Sequence, residues 1–241
     1  MNVLPVLIDK EIEPGDNLVD LILDAADTQD GDVLVIAQKI ISKQEGRLVN
    51  LSSVVPSLLA DGISSQYQKD PRIVELILQE SKQIVRMQRG KIIVETNNGF
   101  ICANAGIDES NVKDGYVTLL PKNSDESAEK IRTEIFEKTK KSVAVIISDT
   151  FGRPFRMGQT NVAIGVSGIN PIVDYAGTND TFGNVLRVTA IAIADELSSS
   201  AELVMKKTTN CPVVIVRNCE FSPDSSSVDV LLRPQNEDLF R

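Results

Sequence analysis

Two aspartates follow apolar runs in this sequence. Asp149 comes after SVAVIIS, and Asp108 comes after GFICANAGI. Asp149 and Thr150 supply hard oxygen ligands of the kind that Mg²⁺ or Mn²⁺ accept beside substrate phosphates. In SDTFGRPFR, Arg153 and Arg156 come next and could grip an anion bidentately; the plainer alternative is a capping aspartate followed by exposed arginines. In ANAGIDESNV, Asp108, Glu109 and Asn111 follow Gly106, and all of these are ordinary turn formers. A third polar stretch, AQKIISKQEGRL, carries Lys39, Lys43 and Arg47 at i, i+4 and i+8. That spacing would align them on a helix, but the β-branched pair Ile40-Ile41 and the turn-forming Gly46 favour an extended or turning segment. The stretch is then either a solvated basic edge or a segment that meets phosphate oxygens.

Two separated aspartates at strand ends and a lysine-rich loop suit metal-assisted phosphoryl transfer. That chemistry needs charge neutralisation and positioning more than a histidine base. The sequence contains no histidine. Ser-His-Asp and Cys-His catalysis are therefore excluded, as is histidine-bound zinc. Neither GxxxxGK[ST] nor GxGxxG after a strand occurs, so the common phosphate cradles are missing.

The elements that must position these groups alternate along 241 residues, with an apolar fraction of 42% and no tryptophan. The core is therefore aliphatic. Asp16 is placed to cap a helix carrying Leu18, Leu21, Ile22, Ala25 and Ala26 on one face. DVLVIA (32–37), SVAVIISDT, TNVAIGVSG (160–168) and PVVIVRN (212–218) read as strands, as does the N-terminal MNVLPVLIDKE. Asp70-Pro71 opens another helix, with Ile73, Leu76 and Ile77 as its apolar stripe. Asn98-Gly99 predicts a hairpin, and residues 125–140 predict an amphipathic helix through Ala128, Ile131 and Ile135. The stretch 186–205 changes from strand-like alternation to helix near Ala194. A hairpin and strands outside simple βαβ alternation point to an α+β fold. No linker-like segment divides the chain, which reads as one domain over 1–241; if it has two lobes, they are closely integrated.

Lys and Arg total 25 against 34 acidic residues, a net charge of −9. This argues against nucleic-acid partners and against an anionic membrane surface. Cys102, Cys211 and Cys219 sit in or beside apolar segments, and their odd number fits reduced thiols of a cytoplasmic protein. No signal peptide or membrane span is read.

Several long motifs occur together and in order: QKIISKQEGR, GFICANAGIDESNV, SDTFGRPFRMGQTNVAIGVSG, IADELSSSAELVM and LLRPQNEDLFR. With these, the chain resembles the coenzyme F420-0:L-glutamate ligase family, in the stand-alone form without the nitroreductase-like domain found in some bacterial members. The resemblance implies a two-lobed α+β fold forming an intertwined homodimer, with nucleotide bound in a groove. It implies GTP, Mg²⁺ or Mn²⁺, and potassium as a monovalent activator, with F420-0 and L-glutamate as substrates.

Residue by residue, it places Asp108, Asp149 and Thr150 on metal and Asn111 on nucleotide. Gln38, Lys39 and Lys43 fall on the segment meeting the nucleotide phosphates. Ile8, Asp9, Lys10 and Glu11, with Lys206, Lys207, Thr208 and Thr209, match nucleotide-binding stretches by place more than by identity. The implied reaction phosphorylates the terminal carboxylate of F420-0 with GTP, and glutamate then displaces phosphate from the acyl phosphate. Asp149, Lys43, Arg153 and Arg156 are the candidate catalytic residues. Two departures stand out. Lys206-Lys207 stands where many members have a glycine and a Gln or Glu, the latter implied by the resemblance as a further metal ligand, and Asn218 replaces a common glycine. A ligase acting on another acid and a non-catalytic nucleotide-binding protein are the alternative readings.

Overall fold

The apolar runs DVLVIA, SVAVII and PVVIV form the middle of a five-stranded sheet. The computed structural model of the chain describes residues 1–239; Phe240 and Arg241, the last two residues of the LLRPQNEDLFR motif, lie outside it. In chain order the elements are β1 (Asn2–Val6), α1 (Leu18–Ala25), β2 (Val33–Ala37), α2 (Gln38–Gln44), β3 (Leu48–Asn50), α3 (Leu58–Tyr67) and α4 (Pro71–Gln79). Next come β4 (Ser81–Gln88), β5 (Lys91–Thr96), β6 (Ile101–Ala103), β7 (Tyr116–Thr118), α5 (Ser124–Thr139) and β8 (Ala144–Arg153). The chain continues through β9 (Arg156–Ser167), β10 (Val173–Asp174), β11 (Ala190–Ile191), α6 (Ile193–Met205) and β12 (Val213–Arg217). The fold is α+β, as the sequence indicated.

The main sheet runs β1-β12-β2-β8-β9, with β2 and β8 parallel and the other neighbours antiparallel. Val33 to Ile36, Ala144 to Ile147 and Val213 to Val216 are buried along their whole length, so both faces of the central strands are covered. Helix α5 packs on β8, β9 and α1, while α6 packs on β9, β12 and β1. Asp125, in the first turn of α5, accepts from Val166 N (2.7 Å) and Ser227 Oγ (2.7 Å), tying β9 and the C-terminal segment to this helix.

A smaller sheet, β4-β5-β6, packs with α3 and α4 around Ala60, Ile63, Val74, Ile77, Ile92 and Val94, a cluster separate from the main core. Its β5–β6 hairpin turns at the expected Asn98-Gly99. The strand β4 is not announced by apolar alternation. It is set by the Arg89-Gly90 turn, where both residues have positive φ.

Four sequence expectations need correction. Asn17, not Asp16, caps α1 and accepts from Asp20 N, because the Asp16 carboxylate is taken by Glu13 N and Lys10. The lysine-rich stretch is helical, not extended: α2 buries Ile40 and Ile41 in the core, and that burial outweighs their modest helix propensity. Strand β8 does not end at Asp149 but continues to Arg153, and β9 begins at Arg156, earlier than the 160–168 run suggested. The alternation in 186–192 yields only the short β11, and Val188 stays exposed. The other elements fall where the sequence placed them, including the Asp70-Pro71 helix start and the change to helix beside Ala194.

Gly165 in β9 has a stringent packing role. A Cβ there would lie 2.4–2.6 Å from the Ser124 side chain and backbone at the start of α5. Gly165→Ala is expected to destabilise the fold by about 3 kcal/mol, at the upper end for overpacking; urea denaturation of the two proteins measures it.

Candidate active site

The parallel pairing of β2 with β8 ends at Ala37 opposite Ser148. Beyond it β2 turns into α2, while β8 goes on with β9 alone, so Asp149 is the first residue past the shared edge. Carboxyl ends of parallel strands are favoured ligand sites in open sheets. A cleft of about 1240 Å³ opens here. Its volume suits a nucleotide with a second substrate.

Asp108 arrives from the opposite side. Asn104, Ala105 and Gly106 all have positive φ (53°, 54° and 69°), a left-handed stretch that is costly for the two non-glycine residues. Asp108 is then locked by paired backbone bonds with Thr118, 3.1 and 2.9 Å long. Its carboxylate accepts from Lys39 Nζ (2.6 Å), Ser110 N (2.7 Å) and Ser110 Oγ (3.0 Å). Burial alone would raise this carboxyl, but the Lys39 and Ser110 bonds outweigh it and hold it below the usual range. Asp149 behaves oppositely. Burial, reinforced by the Asp108 charge, pushes it up to about 6 against the pull of the Thr150 N–H and of Lys207 and Lys39.

Helix α2 presents Lys39 and Lys43 on one face, the spacing the sequence showed. Lys43 is buried; it donates to Glu11 Oε1 (2.5 Å) and to the carbonyl of Asn111 (2.9 Å). The basic stretch is therefore no solvated edge. Arg47 leaves the group: past Gly46 it binds Glu80 (2.7 Å) and the Leu120 carbonyl (2.9 Å), away from the cleft. Gln38 lines the cleft and accepts from Ser42 Oγ within α2.

On the other wall, Thr150 Oγ1 donates to Asn161 Oδ1 (2.7 Å), and Asn161 Nδ2 donates to Glu202 Oε2 (3.1 Å). Lys207 Nζ reaches Thr150 Oγ1 (2.8 Å) and Glu202 Oε1 (3.0 Å). The two stretches matched only by place come together, since Ile8 N donates to the carbonyl of Asn210 (3.2 Å). Ile8, Asp9, Lys10, Glu11, Lys206, Lys207, Thr208 and Thr209 all line the cleft. Lys206 and Asn218, the two departures from glycine, both have positive φ. For Lys206 (φ 51°, ψ −168°) this is a region that glycine alone enters easily.

Arg153 and Arg156 are not brought to this cleft. They sit at the exposed β8–β9 turn, where Arg153 is bonded to the carbonyls of Met157 and Gly158. The strand continues through Asp149, and four extended residues carry Arg153 about 13 Å onward. Conversely, sequence reading did not single out Ser110, Asn161 and Glu202. Asn161 carried a faint signal as a polar residue inside an apolar strand, but its pairing with Thr150 follows only from strand register. Cys102 also lines the cleft, yet burial and the Asp149 charge push its thiol up to about 12, so it is no nucleophile at neutral pH. All three cysteines are unpaired, as expected.

Among the described residues, no three Asp, Glu, His or Cys side chains converge as a metal cluster. The donor set still fits a hard cation that shares its shell with substrate phosphates, since such ions need only one or two carboxylates from the protein. Asp108 and Asp149 repel one another, and Lys39 and Lys207 already supply positive charge beside them. Ser148 Oγ and Asn104 Oδ1, both on the cleft, are buried without a hydrogen-bond partner, the mark of a place where a ligand belongs. No helix among these residues is long and apolar enough to cross a membrane.

The raised Asp149 carboxyl fixes a pH dependence in the metal-free protein. Between its ordinary value of 3.8 and about 6, the folded chain holds a proton that the unfolded chain has released. Stability from this group therefore falls as pH rises through that window. Asp149→Asn is expected to remove the fall and to be the more stable protein near pH 7, as read from denaturant midpoints at pH 4 and 7.

The profile of the family described as F420-0:Gamma-glutamyl ligase matches residues 8–218. The Coenzyme F420:L-glutamate ligase of Methanocaldococcus jannaschii is 48% identical over 214 residues, covering 88% of this chain and 86% of that protein. The protein of the same name from Methanothermobacter thermautotrophicus is 46% identical, covering 94% and 93%. The Methanopyrus kandleri protein, again of that name, is 41% identical, covering 100% and 98%. A profile spanning most of the chain and relatives matched nearly end to end show that this chain belongs to the F420-0:gamma-glutamyl ligase family.

Proposed function

We propose that this chain ligates L-glutamate to coenzyme F420-0, extending a γ-linked tail, with GTP as the energy source. The observation that carries the reading is the pairing of Asp108 with Asp149 in a cleft whose walls supply the ammonium groups of Lys39, Lys43 and Lys207. A carboxylate is a poor acyl donor until one oxygen becomes a good leaving group. The terminal carboxylate oxygen of F420-0 attacks the γ-phosphorus of GTP; the bond to the bridging oxygen breaks, giving an acyl phosphate and GDP. The amine of glutamate then attacks the acyl carbon, phosphate departs, and the amine proton passes to phosphate or water.

In this reading Lys43 and Lys39 offset charge on the phosphates, and Gln38 and Asn111 border the same nucleotide site. Lys10 and Lys206 add positive charge at the rim. Mg²⁺ or Mn²⁺, held by Asp108, Asp149 and Thr150, would draw negative charge from the phosphate oxygens. Potassium is a further activator in this reading. The acting unit is a homodimer. Phe155 and Met157 at the β8–β9 turn, with Phe182 and Val188 in the 175–189 loop, support that assembly, because they stand exposed on the single chain.

Incubating the protein with F420-0, GTP, Mn²⁺ and labelled glutamate should give, by mass spectrometry, an acceptor heavier by a glutamyl residue, with GDP and phosphate released. Labelled product formed equally well without GTP, or none at all, would sink the reading. Asp149→Asn should stay folded yet lose at least about a hundredfold in turnover, the scale of losing a preorganised electrostatic group. Lys43→Ala should act mainly on KM for GTP, and an unchanged nucleotide dependence would remove Lys43 from the site.

A further inference from the structure

Lys207 does more than add charge to the cleft rim. Its ammonium donates to Thr150 Oγ1 (2.8 Å) and Glu202 Oε1 (3.0 Å), and Asn161 bonds independently to both residues. The Thr150 hydroxyl hydrogen is committed to Asn161, so a lone pair faces the ammonium. The second Glu202 oxygen is held by Asn161 Nδ2, which fixes the carboxylate plane. Two residues back on the same face of β8, Ser148 Oγ is buried and unpartnered. The arrangement is a set of oriented oxygens with a single carboxylate charge, entered from the solvent side by an ammonium whose side chain stays 60% exposed. The preceding residue, Lys206, adopts a backbone conformation that an ordinary side chain resists, and this sets the direction in which Lys207 leaves α6.

We propose that Lys207 is a tethered cation: its ammonium takes the place that an inorganic cation would hold against Thr150 and Glu202, so the protein binds one ion fewer than these oxygens could support. An ammonium is a compact point charge that donates where a metal ion would accept electron pairs, so it satisfies the same lone pairs. The inference touches the reading above at one point: Thr150, named there as a metal ligand beside Asp108 and Asp149, is held in the native chain by the Lys207 ammonium, which leaves the two aspartates to hold the divalent ion.

The test is cation binding by the nucleotide-free protein, in the native chain and in Lys207→Gln and Lys207→Met. Mn²⁺ is titrated by electron paramagnetic resonance, and K⁺ is followed by its effect on the melting temperature. Either variant should bind one more Mn²⁺ per chain than the native protein, or gain a K⁺-dependent rise in melting temperature that the native protein lacks. The first result assigns the site to divalent ions and the second to monovalent ones. Lys207→Arg should behave as native, and adding Glu202→Gln to Lys207→Gln should abolish the gain. Lys207 is largely exposed, so the variants are expected to fold, and circular dichroism checks this. Equal Mn²⁺ stoichiometry and equal K⁺ response in the native protein and both variants would overturn the proposal. So would a loss of bound Mn²⁺ in Glu202→Gln alone, because native Glu202 would then already be holding a metal.

Discussion

Two carboxylates that repel one another are held across a cleft, and the surrounding structure is arranged around that repulsion. Asp108 and Asp149 come from segments distant in sequence and enter from opposite walls. Left alone, each would raise the other's proton affinity. Lys39 bonds directly to Asp108 and makes it the ionised member, while Asp149, without such a partner, keeps its proton to a higher pH. The asymmetry follows from the burial of Asp149 on one wall and from the Lys39 and Ser110 bonds to Asp108 on the other. It sets apart two residues of the same type, one a settled anion and the other a group whose charge depends on what enters the cleft.

A protein of net charge −9 concentrates part of its positive charge in one place. Lys10, Lys39, Lys43, Lys206 and Lys207 all line one cleft, and several of them are neutralised by acids of the same walls: Glu11 on Lys43, Asp108 on Lys39, Glu202 on Lys207. The paired acids keep each ammonium from being buried without a partner, which would be costly. Under the proposed reading, a phosphate would compete with these carboxylates for the same donors, so that binding would exchange partners and leave no ammonium unpaired.

Much of this was readable from the sequence, for identifiable reasons. The central strands are continuous apolar runs, and the Asp70 cap, Pro71 and Asn98-Gly99 are local signals with local causes. Lys39 and Lys43 showed helical spacing, but β-branched propensity pointed the other way, and only the burial of Ile40 and Ile41 decides between them. Arg153 and Arg156 were assigned to the site because Asp149 looked like the end of a strand. Whether a strand stops or continues as a hairpin depends on its partner, which lies elsewhere in the chain. Glu202 and Asn161 were silent for the same reason: their meeting at Thr150 is set by the β8–β9 register and the placement of α6.

The cleft also combines two kinds of support. Asp149, Thr150, Lys39 and Lys43 stand on sheet and helix positions fixed by the core, whereas Asp108, Asn111 and Lys207 stand on or beside residues with positive φ. Such backbone persists only where neighbouring bonds over-determine it. Here those bonds are the Asp108–Thr118 pair, the Ile8–Asn210 bond and the Lys206 amide on the Glu202 carbonyl. The rigid half fixes the relative positions of Asp149, Thr150, Lys39 and Lys43. The strained half holds its groups through a few bonds at the cleft itself, so a ligand that replaces one of those bonds acts directly on the backbone that carries Asp108 or Lys207. In the proposed reaction, ligand binding would then couple to loop geometry at the site, with no need for motion of the sheet.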